Sequence, residues 1–479
     1  MRDTLKVLAL PAVFGGALSA FSLSPGRIGL YGFVAVLGLV MLPRLRKSPE
    51  VLLALTIVYM PLARLYAARL APGLNGTNIL ELVLVGMWVW GAARRKEPMF
   101  GRYAFTRLVA VWVFLTFVSV ITAISDIGVN SFLWDYLETL RGFLDQFIVF
   151  YLFVNLIRDE NMARRLFIYM MVSASLVFLY GFHEWFGTRF IDSIDKSRLL
   201  GPVGQPNDFA AQVVYCISPL LAYAAYYFPR MRILRVVPLL GIGVRVLLGA
   251  FSRGGYLAFA MEIIAIAAAR GLRYIVLMMA ALTAVYFTVP QLIPGSMRAR
   301  IDQTFHDRAA GSEIDKSAAS RFILWDAAIA MTEQHPLLGV GFDQYPRLSR
   351  QYETEYVEAT DNQNMFLYAA SNMGIPGLLA FVSLLIALLW RAWRISRDAS
   401  RPDIDRIIGF GAVGLVAGLV GVNMFGTHVI DTAVDSFIWL YMAIIARLPS
   451  TQGKGLKAGV PKAVGPASAR LGAKGVRRV

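Results

Sequence analysis

Three arginines stand outside the basic clusters that punctuate the rest of the chain, two of them in motifs rich in turn-forming residues. They occur in Arg198-Leu-Leu-Gly-Pro-Val-Gly-Gln-Pro-Asn207-Asp208, in Phe251-Ser-Arg253-Gly-Gly-Tyr256 and in Arg321-Phe-Ile-Leu-Trp-Asp326. A guanidinium is a rigid fork of donors suited to an anion. The glycines after Arg253 permit close backbone approach. They leave N–H groups at a helix start, where the helix dipole favours negative charge. A fourth motif, Asp361-Asn-Gln363-Asn364, puts three amides and a carboxylate at the mouth of an apolar segment. Planar amides and carboxylates of this kind bind hydroxyl-rich ligands such as sugars.

Each motif also has a plainer reading. Asn207 or Asp208 can cap a helix starting at Phe209, although that does not explain Arg198, which needs an anionic partner or water. Arg253 can be a snorkelling side chain that ends a helix. Arg245, deeper in the preceding apolar segment, is costly in lipid unless paired or facing a wet cavity. Apolar residues at 322, 325 and 329 predict a short amphipathic helix, which Pro336 ends, with His335 as its last residue. Gly339 and Gly341 then turn the chain toward Asp343 and Tyr345.

What positions these residues is a membrane scaffold. The chain has 479 residues, 57% hydrophobic and 16% charged, with mean hydropathy +0.57. That balance leaves too little polar surface for a soluble domain. Apolar windows predict helices at 5–21, 28–42, 51–66, 79–93, 107–124, 143–157, 166–182, 209–228, 233–250, 255–269, 272–289, 365–390, 407–424 and 434–447. The fold class is therefore an all-α polytopic integral membrane protein with 12–14 transmembrane helices and one large polar loop. The organisation expected is N-terminal helices over 1–197, helices carrying the first two motifs over 198–289, the loop over 290–363, C-terminal helices over 364–448 and a basic tail over 449–479.

The net charge of +16 is a matter of topology and not of nucleic acid. Clusters such as Arg44/Arg46/Lys47, Arg94/Arg95/Lys96, Arg158/Arg164/Arg165 and Arg391/Arg394/Arg397 fall in alternate connections, as the positive-inside rule requires. Both termini are thereby expected in the cytoplasm, and the four motifs on the opposite face. The single Cys216 excludes an internal disulfide and a cysteine metal site. The Gly-, Ala- and Lys-rich tail is expected to lie disordered against anionic headgroups.

In this order the motifs resemble the O-antigen ligase and O-antigen polymerase family of bacterial membrane glycosyltransferases. The resemblance runs from about Arg198 to Tyr441. It includes Gly-Pro-x-Gly-x-Pro-Asn, the Ser-Arg-Gly turn, the Arg–Trp helix, Pro-Leu-Leu-Gly-Val-Gly, the polar pair before Met365 and Gly426-Thr-His428 with Asp431, Asp435 and Trp439. It implies residence in the bacterial inner membrane and a donor glycan on undecaprenyl diphosphate, presented at the periplasmic face. The acceptor is a glycan or lipid, with no metal or other cofactor required. Membrane lipids and other polysaccharide-assembly proteins are the remaining partners expected. Arginines aimed at the departing diphosphate would stabilise its charge, Arg253 and Arg321 above all. Catalytic candidates are Arg253, Arg321, Asp361 and Gln363. Substrate-binding candidates are Arg198, Asn207, Arg245, Tyr345, Asn364 and His428.

One position departs from the family pattern. Ligases carry a histidine, thought to activate the acceptor hydroxyl, where this chain has Gln363. Glutamine takes no proton at neutral pH, so Asp361, His428 or His335 substitutes, or no strong base is needed, or this copy has another role. The departure favours a polymerase of a surface polysaccharide over a lipid A-core ligase. A transporter of the same lipid-linked glycan is the alternative from another class, and it should hold its charges at the bilayer midplane.

Overall fold

The computed structural model describes residues 49–66, 76–95, 100–191, 194–271, 273–274, 276, 316–353, 357 and 361–449. The predicted spans 5–21 and 28–42, nearly all of 272–289 and the tail from 450 onward lie outside the described residues. The helices are α1 Glu50–Tyr59, α2 Gly76–Arg95, α3 Thr106–Ile127, α4 Val129–Asp135, α5 Leu137–Leu156, α6 Glu160–Thr188, α7 Ile194–Ser197 and α8 Pro206–Tyr227. They continue as α9 Val237–Gly249, α10 Arg253–Arg270, α11 Lys316–Gln334, α12 Tyr345–Leu348, α13 Met365–Arg397, α14 Asp403–Asn423 and α15 Thr432–Arg447. No strand occurs among the described residues.

Six of these helices (α2, α3, α6, α8, α13 and α14) are long and apolar enough to cross a membrane, and α9 is a shorter apolar helix. The chain is thus an all-α multi-pass membrane protein. In the most apolar window of α8 and α14, 78% of residues are buried, against 22% in α2. The first two form the centre of the bundle, while α2 turns apolar side chains such as Leu82 and Trp90 outward, as a lipid-facing helix must. Small residues let helices meet α14 closely. A Cβ at Gly421 would lie 2.6 Å from Ala258 Cα on α10. Aromatic edges fill the larger gaps, with Trp439 5.1 Å from Phe147 and Trp112 4.7 Å from Phe381.

Several local expectations change. The span predicted at 51–66 is α-helical only to Tyr59 and continues as a 3-10 segment, Met60–Tyr66. Pro61 cannot donate to an α-helical ladder. The connection expected at 125–142 is mostly helical, because α4 and the start of α5 occupy it. The Pro206 helix is capped by Gln205, whose side chain accepts from Asp208 N at 2.8 Å. Neither Asn207 nor Asp208 acts as the cap.

The amphipathic helix in the polar loop is α11, but its buried stripe differs from the predicted one. Leu324, Ala327, Ala328 and Met331 are buried, whereas Phe322 and Ile329 are exposed. Alanine at two stripe positions suits α11 to close packing beside α13. The helix ends before His335, which is exposed.

Pro336-Leu-Leu-Gly-Val-Gly341 then clasps a break in α13. Gly374 has φ +72, and its backbone leaves Pro336 O free to accept from Ile375 N at 2.8 Å. Val340 N donates to Ser371 O (2.8 Å), Gly341 N to Asn372 O (3.2 Å) and Phe342 N to Ser119 O (3.0 Å). This clasp fixes α11, and the residues that follow it, against α3 and α13.

Candidate functional site

The motifs meet at one end of the bundle, where α8, α10, α13 and α15 begin and α14 ends. Four helix N-termini there bias the local field toward anions. Two adjoining cavities open in this region. The smaller, about 70 Å³, is lined by Arg198, Arg253 and Arg321 together with Asn207, Ser252 and Phe425. The larger, about 600 Å³, is lined by carboxylates and amides that include Asp208, Asp343, Asp361 and Gln363. Asn207, Phe425 and His428 line both.

Each arginine reaches the small cavity by a different device. Leu199 N donates to Gly249 O at 3.0 Å, which ties the 198–204 loop to the end of α9. Glu184 accepts from Leu200 N (2.8 Å) and Gly201 N (2.9 Å), holding the turn from below. Arg198 then donates Nε to Ala250 O at 3.2 Å and Nη2 to Asn207 Oδ1 at 3.1 Å. Arg253 is the first residue of α10, whose cap is Ser252, accepting from Gly255 N at 3.4 Å. Arg321 projects from α11 and donates Nε to Gln363 Oε1 at 3.0 Å. Residues 198, 253 and 321 are far apart in sequence and come together in space.

The polar motif before α13 divides its labour. Asn364 caps the helix, accepting from Phe366 N (3.0 Å) and Leu367 N (3.2 Å). It lines neither cavity. Asp361 accepts from Gln363 N at 3.1 Å and from the Thr427 hydroxyl, so both its oxygens are engaged. Gln363 faces the large cavity and, with φ +50, sits in the left-handed region. Two other predicted contacts also fall outside the cavities. Tyr345 is a buried strut whose hydroxyl donates to Leu324 O at 2.8 Å. Arg245 stacks over the Trp185 ring at 4.3 Å.

His428 lies where the cavities join. Its Nδ1 is 3.0 Å from Asp208 Oδ1, and its backbone N donates to Asn423 Oδ1 at 2.9 Å. Behind Asp208 stands Arg64 of the 3-10 segment, 3.9 Å from Asp208 Oδ2 and paired also with Asp431. Sequence inspection missed Arg64, because a lone arginine in an apolar run reads as a helix end. It also passed over Asp343 as a site residue. Burial, reinforced by the nearby Asp361 charge, pushes the Asp343 carboxyl up to about 6. No hydrogen bond or ion pair engages that carboxyl among the described residues, and it faces the large cavity.

The arrangement can hold an anion of phosphate size beside a polar chamber large enough for sugar rings. No group of His, Cys, Asp and Glu suited to a metal ion occurs among the described residues. Comparison with curated proteins returns no match. Residues 238–382, from α9 to the middle of α13, match the family model described as O-antigen ligase. That segment contains Arg253, Arg321, Asp343 and Gln363; Arg64, Arg198 and His428 come from outside it. Over residues 238–382 the chain is similar to the O-antigen ligase family model, which supports the resemblance of its motifs to the O-antigen ligase and polymerase family.

Proposed function

We propose that this protein transfers a glycan from undecaprenyl diphosphate to a hydroxyl of a second glycan, at the periplasmic face of the inner membrane. Members of the family are glycosyltransferase-like ligases and polymerases, and this reading places the chain among the polymerases. The observation that carries it is the meeting of Arg198, Arg253 and Arg321 around one small cavity that adjoins a large polar one.

The chemistry follows from the two chambers. The diphosphate occupies the basic pocket, and the sugars occupy the chamber lined by carboxylates and amides. As the anomeric C–O bond lengthens, negative charge grows on the leaving diphosphate oxygen. Preorganised guanidinium donors stabilise that charge more in the transition state than in the ground state. Arg321 is steadied by Gln363 and Arg198 by Asn207, so little reorganisation accompanies the step. The polymerase assignment rests on Gln363, which cannot act as a base.

Deleting the gene and resolving the surface glycan by length separates the two family activities. A polymerase leaves single repeat units on the acceptor and no long chains. Complete loss of transferred glycan, with lipid-linked polymer accumulating, indicates a ligase instead. An unchanged glycan profile in the deletion overturns the proposal.

A further inference from the structure

An acceptor hydroxyl attacks well only if its proton has somewhere to go, and Gln363 cannot receive it. The carboxylates that line the chambers are mostly committed. Both Asp361 oxygens accept hydrogen bonds. Asp208 is held between His428 and Arg64. Asp431 accepts from Ala433 N at 2.8 Å and pairs with Arg64. Asp343 is uncommitted but lines only the large chamber. His335 lines neither.

His428 differs from all of these. A carboxylate only accepts, so the imidazole must carry its proton on Nδ1 to bond Asp208. In the neutral ring Nε2 then carries the lone pair, and no hydrogen bond engages that atom among the described residues. The ring packs against Gly426, where a Cβ would lie 2.0 Å from Nε2, so only glycine leaves room for the imidazole in this position. The ring stands in the wall shared by the diphosphate pocket and the sugar chamber.

Resting on the transfer reading above, we infer that His428 is the general base of the reaction and that Asp208, backed by Arg64, is its positioning residue. The acceptor O–H gives its proton to Nε2 while the oxygen forms the new C–O bond to the anomeric carbon. The old anomeric C–O bond breaks, and its electron pair leaves with the lipid diphosphate among the arginines. Asp208 stabilises the imidazolium, which returns its proton to water through the large chamber. The charged groups facing the ring are Asp208 from α8, Arg64 from the 3-10 segment, Asp361 from the loop before α13, and Arg198, Arg253 and Arg321 across the small cavity.

The test uses full-length protein in nanodiscs, with undecaprenyl diphosphate as the binding probe. Lipid-linked glycan extracted from a strain lacking the protein is the transfer substrate. His428→Gln should bind undecaprenyl diphosphate within about threefold of wild type, yet transfer at least about a hundredfold more slowly, the range for a lost general base. His428→Ala should regain about tenfold of its loss on addition of imidazole, which a merely structural histidine would not allow. Asp208→Asn should lose about tenfold in rate and keep probe binding. Transfer by His428→Gln within threefold of an active wild type overturns the base assignment alone. Joint loss of binding and transfer without imidazole rescue also overturns it, as a structural role. A wild type that transfers nothing from any such donor overturns both this inference and the transfer reading.

Discussion

Gln363 Oε1 accepts a hydrogen bond from Arg321 Nε at 3.0 Å. The contact joins α11 of the polar loop to the segment that opens α13, across 42 positions of sequence. Arg321 also lines the small cavity. Gln363→Glu replaces a neutral acceptor with a charged one, and a charge-assisted pair is roughly twice as strong. The carboxylate should therefore compete with diphosphate for Arg321. Binding of undecaprenyl diphosphate should weaken about tenfold in Gln363→Glu, more than in Gln363→Ala, where the guanidinium is only less well placed.

Gly374 is the joint on which the clasp turns. Its φ of +72 is costly for any residue with a Cβ, and that Cβ would lie 2.6 Å from the Leu337 carbonyl carbon. Backbone on both sides leaves no flexible neighbour to give way. Gly374→Ala should destabilise the protein by about 2 kcal/mol or more. It should also disturb Asp343 and α11 together, seen as a lower melting temperature and slower transfer in the same variant.

Asp343 makes stability depend on pH in a definite direction. Its folded value of about 6 lies above the ordinary carboxyl value of 3.8. Between those values the folded state binds more protons than the unfolded one, so stability falls as pH rises through this window. Asp343→Asn mimics the protonated group and removes the penalty. At pH 7.5 it should be more stable than wild type by on the order of 2 kcal/mol. The gain should fade as pH approaches 4, as thermal melts across pH 4–8 can show.

Much of this was legible in the sequence, and the rest was hidden for identifiable reasons. Apolar windows located the helices, since lipid demands long uninterrupted runs. Arg198 and Arg253 were visible because arginine near glycine between apolar segments is hard to explain by topology alone, and Arg321 because it stands in the polar loop. The buried face of α11 was misread because Phe322 and Ile329 outweigh Ala327 and Ala328 on any hydropathy scale. Close helix contact prefers the alanines. Asn364 and Tyr345 looked like ligand contacts because polarity in a sequence does not reveal whether its partner is backbone or substrate. Arg64 carried no signal of its own; only its approach to Asp208 and Asp431 in space gives it a role.

A charge cluster at the opposite end of the bundle offers a stability test away from the cavities. Arg164 clamps Asp405 through both oxygens, Nε at 2.6 Å and Nη2 at 2.9 Å, and Asp405 is 1% exposed. Arg401, 4.0 Å away, compensates only in part. Removing one partner of a buried pair strands the other charge, at about 3 kcal/mol. Arg164→Ala should lower the melting temperature sharply, and adding Asp405→Asn should recover most of the loss.

The account depends above all on the three guanidinium groups receiving a lipid diphosphate. Transfer from undecaprenyl-diphosphate glycan by purified protein in nanodiscs, compared for wild type, Arg253→Ala, Arg321→Ala and the surface control Arg232→Ala, tests this directly. The account predicts that Arg253→Ala and Arg321→Ala each lose at least about a hundredfold in rate, as removal of preorganised charge stabilisation does. Arg232→Ala should match wild type. Wild-type transfer by both cavity variants would contradict it.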